Sequence, residues 1–285
     1  MSPVEQQSER EVPRTLLPLA NPPTFALAAS WAVILLMSVA FVAGAISPGI
    51  LYPGNDQSSR PTDLVQFVGA PLLLASVVMT RRGSLVWLLL WPGILVYLLY
   101  HDLAYLLMMR LNPMLVLHLV LAALNLFATV GLVSAINKGA VQSMLAGAVS
   151  EKLGGAVLAS FGTLICISAL AGILGHLFKQ TAISPSELAL HVTDFLMSPT
   201  WIIGGVLLWA RKPLGYAVGP GLLFQASMLF VGLILLFVLQ TVISGVAFRI
   251  VDTVAVCALG TICFVPCCLF VRGVLQRTGK SGGAL

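Results

Sequence analysis

The sequence predicts an all-α, polytopic membrane protein with about eight transmembrane helices, and three observations predict it. First, 59% of the 285 residues are hydrophobic and only 9% are charged, against about 25% charged in an ordinary soluble domain. Mean hydropathy is +1.01. A water-soluble fold of this length has too little interior to hide so much apolar surface, so the lipid bilayer is the expected partner for most of it. Second, apolar runs close to the ~20 residues that a bilayer requires follow one another along the chain. Third, the basic residues alternate between connecting segments as an even number of crossings demands.

Residues 1–23 read as an exposed polar tail. Glu5, Glu9 and Glu11 dilute any basic region, so this tail does not resemble a secretory signal. Spans are expected at about Thr24–Ile46, Leu64–Thr80, Leu85–Met108, Pro113–Ile136, Leu153–Phe178, Leu188–Ala210, Tyr216–Thr241 and Ile250–Val271. The first is followed by PGILYPGNDQSSRPTD, dense in turn formers. Arg81-Arg82-Gly83 closes the second and Arg211-Lys212-Pro213 the sixth, while NKGAVQSMLAGAVSEK reads as a loop before the fifth. Residues 274–285, basic and then glycine-rich, read as a flexible tail. The expectation is one transmembrane domain, 24–273, with no separate extramembrane domain.

Under this alternation one face holds Arg10, Arg14, Arg81, Arg82, Lys138, Lys152, Arg211, Lys212, Arg272, Arg277 and Lys280, eleven cations. The other holds Arg60, Arg110, Lys179 and Arg249, four. Lysine and arginine concentrate on the cytoplasmic side of membrane proteins, so both termini are expected there. The net charge of +5 is thus a topology signal. No basic run interleaved with aromatics points to nucleic acid. The five cysteines, Cys166, Cys257, Cys263, Cys267 and Cys268, all lie in apolar runs, where cysteine packs as a small apolar side chain.

An internal repeat is suggested at an offset of 128 residues. Pro71 then falls on Pro199, Pro92-Gly93 on Pro220-Gly221, and Gln66-Phe67 on Asp194-Phe195. Four spans per half would make the halves, 24–136 and 153–273, parallel.

The functional candidates centre on the third span. Tyr97, His101 and Tyr105 recur at i, i+4, i+8 and share a helical face, with Asp102 one step round. An ionisable side chain at membrane depth costs roughly 2.5–3.5 kcal/mol on insertion scales, which makes it a functional candidate by default. His118 and Asn125, seven apart on the fourth span, and Asp194 on the sixth join the set. His101, Asp102 and Asp194 are the candidates for proton chemistry; Tyr97, Tyr105, His118 and Asn125 are the candidate ligand contacts. They are expected to line a polar cavity between the halves. Asn125, Gln66 and Gln225 can also be read as interhelical hydrogen-bond partners, worth about 0.6 kcal/mol each. No phosphate-binding G-x-x-x-x-G-K-[ST], zinc-binding H-E-x-x-H or nucleophile G-x-S-x-G is present. No cofactor and no metal is expected.

Two stretches resemble an uncharacterised family of multi-pass membrane proteins that is widespread in prokaryotes. One is RRGSLVWLLLWPGILVYLLYHDLAYLLMMRLNPMLVLHLVLAALNLF, with an R-G-S start, a tyrosine-rich helix and then an asparagine. The other is DFLMSPTWIIGGVLLWARKPLGYAVGP, similar to a D…P…G-G-x-L-L-W…P-x-G-Y signature. The matching positions are Asp194, Pro199, Arg211, Pro213, Gly215 and Tyr216. That family usually has Asn-Tyr where this chain has His101-Asp102, and the resemblance implies architecture rather than an activity.

The leading expectation is a carrier or binding protein for a small organic or lipid-like molecule, working through intramembrane Asp and His. The alternative is a membrane-embedded enzyme, such as an isomerase or isoprenoid cyclase, with Asp102 as general acid among tyrosines. A third reading is an accessory subunit without a ligand.

Overall fold

The computed structural model describes residues 17–46, 60–108, 111 and 113–281. Among these the chain is all-α. Its helices are α1 (Thr24–Ile46), α2 (Arg60–Phe67), α3 (Gly69–Arg81), α4 (Leu85–Met108), α5 (Pro113–Ala135), α6 (Lys138–Leu145), α7 (Glu151–Lys179), α8 (Pro185–Trp209), α9 (Pro213–Ser244) and α10 (Ile250–Ser281). Eight spans in this series are long and apolar enough to cross a membrane, with α2 and α3 together making the second. Backbone groups in lipid have no water to bond, so the helix is the only spanning form that satisfies them within one segment. The protein is a multi-pass membrane protein.

The span limits follow the sequence closely, and the departures have local causes. The second span is broken at Val68. Pro71 has no N–H to give the carbonyl four residues earlier, at Phe67, so one helix ends there and the next begins with Pro71 in its first turn. The loop expected over 48–63 lies outside the described residues as far as Ser59, and from Arg60 the chain is already helical. The loop expected over 137–152 contains α6, which Asn137 caps by accepting from the Ala140 N–H. α10 runs to Ser281, correcting the tail expected from residue 274. Val274 is buried, and Gly273 lets α10 close on the Ala148 carbonyl. Residues 1–16 and 282–285 lie outside the described residues. The last residues of the expected N-terminal tail are docked, not free. Ala20 N–H donates to the Ala135 carbonyl (2.7 Å) and Asn137 N–H to the Pro18 carbonyl (2.8 Å), which satisfies the end of α5.

α4 is the centre. It is buried on every side, with Trp91, Tyr97, Leu98, Asp102 and Tyr105 all essentially inaccessible. A helix apolar all round belongs in the interior, and α4 packs on α3, α5, α8, α9 and α10. The outer helices turn Leu35, Leu119, Leu164, Ile167, Ile203 and Val254 outward, as a lipid-facing surface requires. Two close crossings depend on glycine. Gly93 of α4 meets Gly221 of α9, where a Cβ on Gly221 would come within 2.8 Å of the Gly93 nitrogen. Gly155 of α7 meets Gly205 of α8, where a Cβ on Gly155 would lie 2.7 Å from the Gly205 carbonyl oxygen. Small residues allow this approach, and van der Waals packing is the main attraction between helices in lipid.

Candidate functional site

The carboxylate of Asp102 is fully buried, at 0% exposure. Its Oδ1 accepts from Gln66 Nε2 at 2.7 Å and from His118 Nδ1 at 2.9 Å. Its Oδ2 accepts from Asn125 Nδ2 at 2.9 Å. The donors come from α2 and α5. His118 and Asn125 are seven residues apart, two turns of one face, so both reach the same α4 side chain. Asp102 lies six residues from the end of α4, about 9 Å along the axis. The network therefore lies about midway between the centre of α4 and its C-terminal end.

The neighbouring residues on α4 are engaged separately. The His101 ring turns back on its own helix and donates Nδ1–H to the Tyr97 carbonyl at 2.9 Å, since a carbonyl oxygen can only accept. The rings of Tyr97 and Tyr100 flank it, with centroids 4.5 and 5.6 Å away. Tyr97 donates its hydroxyl to the Val65 carbonyl at 3.0 Å. Tyr105 stacks on His118 and donates its hydroxyl to Asp63. Tyr100 donates to Asp194 of α8 at 2.7 Å.

The sequence-predicted residues thus divide into three groups. Asp102, His118 and Asn125 converge, with Tyr105 against them. His101 and Tyr97 contact each other and make no bond to the Asp102 carboxylate. Asp194 belongs to a second polar pair that reaches α4 through Tyr100. The single cavity expected between the halves is replaced by two polar clusters on different sides of α4. Gln66, read from the sequence as a plain interhelical partner, is a direct ligand of the central carboxylate. Tyr100 bonds Asp194 and Asp63 accepts from Tyr105, two contacts that helical spacing alone does not predict.

The donor set determines what the site can do. A carboxylate in a low-dielectric interior needs charge-assisted bonds to remain there, each worth roughly 1.5–3 kcal/mol. Asp102 has three such bonds. Both its oxygens face N–H donors, so the site is not built to hold a cation. Among the described residues no three His, Cys, Asp or Glu side chains gather as a metal site. His118 Nε2 and Asn125 Oδ1, the far ends of two of the donors, have no partner among the described residues.

A third cluster closes the terminus side. Glu151, at the start of α7, accepts from the Gly147 N–H (2.8 Å) and the Tyr216 hydroxyl (2.9 Å), with Arg211 Nη2 at 3.8 Å. Arg211 holds a left-handed backbone (φ 55°), and its carbonyl accepts from Gln142 Nε2 at 2.7 Å. This cluster ties α6, α7, α8 and α9 together and accounts structurally for Arg211 and Tyr216.

No protein-family model matches the chain, and no curated protein and no solved structure matches it either.

Proposed function

We propose that this protein is a membrane carrier for a small organic or lipid-like molecule, with Asp102 as its proton-responsive group and both termini in the cytoplasm. The observation that supports the reading is the threefold donor set on Asp102. A proton on Asp102 removes the charge that strengthens all three of these bonds, and the new O–H needs an acceptor of its own. Asn125 can supply it by turning its amide and His118 by carrying its proton on Nε2, because Asn125 Oδ1 and His118 Nε2 are uncommitted, and either change alters the bonds between α4 and α5. Proton binding is thereby coupled to helix packing, as proton-driven carriers require. A general acid would need its O–H open to substrate, and the closed donor set favours the carrier over that alternative. The placement of the termini rests on the eleven cations against four.

The test is metabolite profiling of a strain lacking the gene, with cells and medium measured separately. The strain is complemented with wild type, Asp102→Asn or His118→Gln, the last keeping an N–H donor. The carrier reading expects one compound to shift between cells and medium in the deletion, with wild type restoring it and Asp102→Asn failing to. A precursor that accumulates while its product disappears from both fractions would overturn the reading in favour of an enzyme. No change on deletion would overturn it in favour of an accessory subunit. Size-exclusion profiles of each variant separate loss of transport from loss of fold.

A further inference from the structure

At the face where α7 and α9 begin, the packing gathers cations from separate parts of the chain around α6. Gln142 of α6 donates Nε2–H to the Arg211 carbonyl at 2.7 Å, which holds the Arg211-Lys212 turn against this helix. Lys138 lies one turn before Gln142 on the same side of α6. Gly155 of α7 packs on the Trp209 backbone, so Lys152, one turn earlier, stands beside that turn as well. Gly273 of α10 closes on the Ala148 carbonyl in the α6–α7 connection, which brings Arg272 alongside. Lys152, Arg211, Lys212 and Arg272 are exposed, and Lys138 is half-buried.

Little negative charge answers them. Among the described residues Glu151 is the only carboxylate at this end of the helices. It is 4% exposed and turned inward, to the Gly147 N–H and the Tyr216 hydroxyl. Its contact with Arg211, at 3.8 Å, leaves that side chain 58% exposed. The opposite face differs. There Arg249 is paired with Asp252 at 2.7 Å, and Glu187 is exposed. Cations held together without an anion repel one another, so an anion from outside the chain is favoured at the α6 cluster.

The level of the cluster identifies that anion. Lys152 stands at the start of α7, and Arg211 and Lys212 join α8 to α9, so the cations sit where the spans leave the bilayer. Trp209, at 52% exposure, marks the same level, since exposed tryptophan favours the boundary between headgroups and acyl chains. Leu153 and Val206 are exposed just inside it. Cations above an apolar border match a phospholipid, which carries its phosphate above its acyl chains. An acidic protein could reach that border only by entering the lipid.

We propose that Lys138, Lys152, Arg211, Lys212 and Arg272 form a docking surface around α6 for the headgroups of anionic phospholipids. The phosphates answer the cations that Glu151 leaves unmatched, and the acyl chains lie along Leu153 and Val206. Lipid on this surface bridges α6, α7, the α8–α9 turn and α10, so its binding stabilises the folded protein. The inference stands apart from the carrier reading, because it needs no transported molecule.

The test is thermal unfolding of the purified full-length protein in a non-ionic detergent. It is titrated with phosphatidylglycerol, with phosphatidylcholine of the same acyl chains, and with glycerol 3-phosphate. Phosphatidylglycerol is expected to raise the unfolding temperature saturably, and less so at high salt; the other two are not. Lys152→Gln, Lys212→Gln and Arg272→Gln are each expected to weaken the effect about fivefold, and the triple variant to abolish it. The three side chains are exposed, so the variants are expected to fold, which size exclusion without lipid checks. Lys179→Gln, on the opposite face, is expected to change nothing. Equal shifts from the two lipids, or a triple variant that keeps the full shift, would overturn the inference. A shift of the same size from glycerol 3-phosphate would overturn the lipid in favour of a dissolved phosphate ligand.

Discussion

The ring of Tyr105 lies flat on the imidazole of His118, with centroids 4.3 Å apart and planes 18° from parallel. The same tyrosine gives its hydroxyl to Asp63. His118 is thus held by its edge, through Asp102, and by its face, through Tyr105. Edge and face together leave the ring one orientation.

The two contributions of Tyr105 can be separated. Tyr105→Phe keeps the stack and loses the bond to Asp63, and is expected to cost about 1–2 kcal/mol. Tyr105→Leu loses both and is expected to cost a further 0.5–1.5 kcal/mol or so, the usual worth of an aromatic pair. Denaturant titration in mixed micelles reads both. Equal losses for the two variants would show that the stack contributes nothing.

The α4–α9 crossing has no room for a methyl group. A Cβ on Gly93 would overlap the Gly221 carbonyl, and the neighbours are backbone atoms that cannot step aside. Gly93→Ala and Gly221→Ala are each expected to remove the monodisperse peak on size exclusion. Gly175→Ala is the control. Nothing lies within 4 Å of a Cβ there, and α7 should gain up to about 1 kcal/mol from the better helix former. A folded, stable Gly93→Ala protein would mean that the crossing is looser than described.

Glu151 and Tyr216 are expected to be strongly coupled. Glu151→Leu leaves the hydroxyl of the fully buried Tyr216 without its acceptor, at a cost of about 1–3 kcal/mol. Tyr216→Phe in the same background removes the stranded hydroxyl and should recover part of that loss. A double-mutant cycle measures the coupling, expected above about 0.5 kcal/mol. Additive losses would assign Glu151 to the Gly147 and Arg211 contacts alone.

The limits of legibility show in particular residues. Asp102, His118 and Asn125 were readable as a set, because polar groups in apolar spans are costly and a seven-residue spacing puts two of them on one face. His101 looked equally promising, yet its ring found an acceptor one turn back on its own helix. Sequence spacing cannot choose between a local carbonyl and a distant carboxylate.

The number, length and order of the spans follow from composition along the chain. In lipid the backbone must bond within each segment and the bilayer sets the length, so local composition is sufficient. The rotation of each helix about its axis and the close crossings at Gly93–Gly221 and Gly155–Gly205 come from packing between spans. Those choices place Gln66 on Asp102 and Tyr100 on Asp194. The physical reason is that lipid is as apolar as leucine, so no hydrophobic stripe tells a helix which face to bury. Packing of small residues and a few polar bonds set that instead, and both are properties of pairs of helices rather than of any one segment.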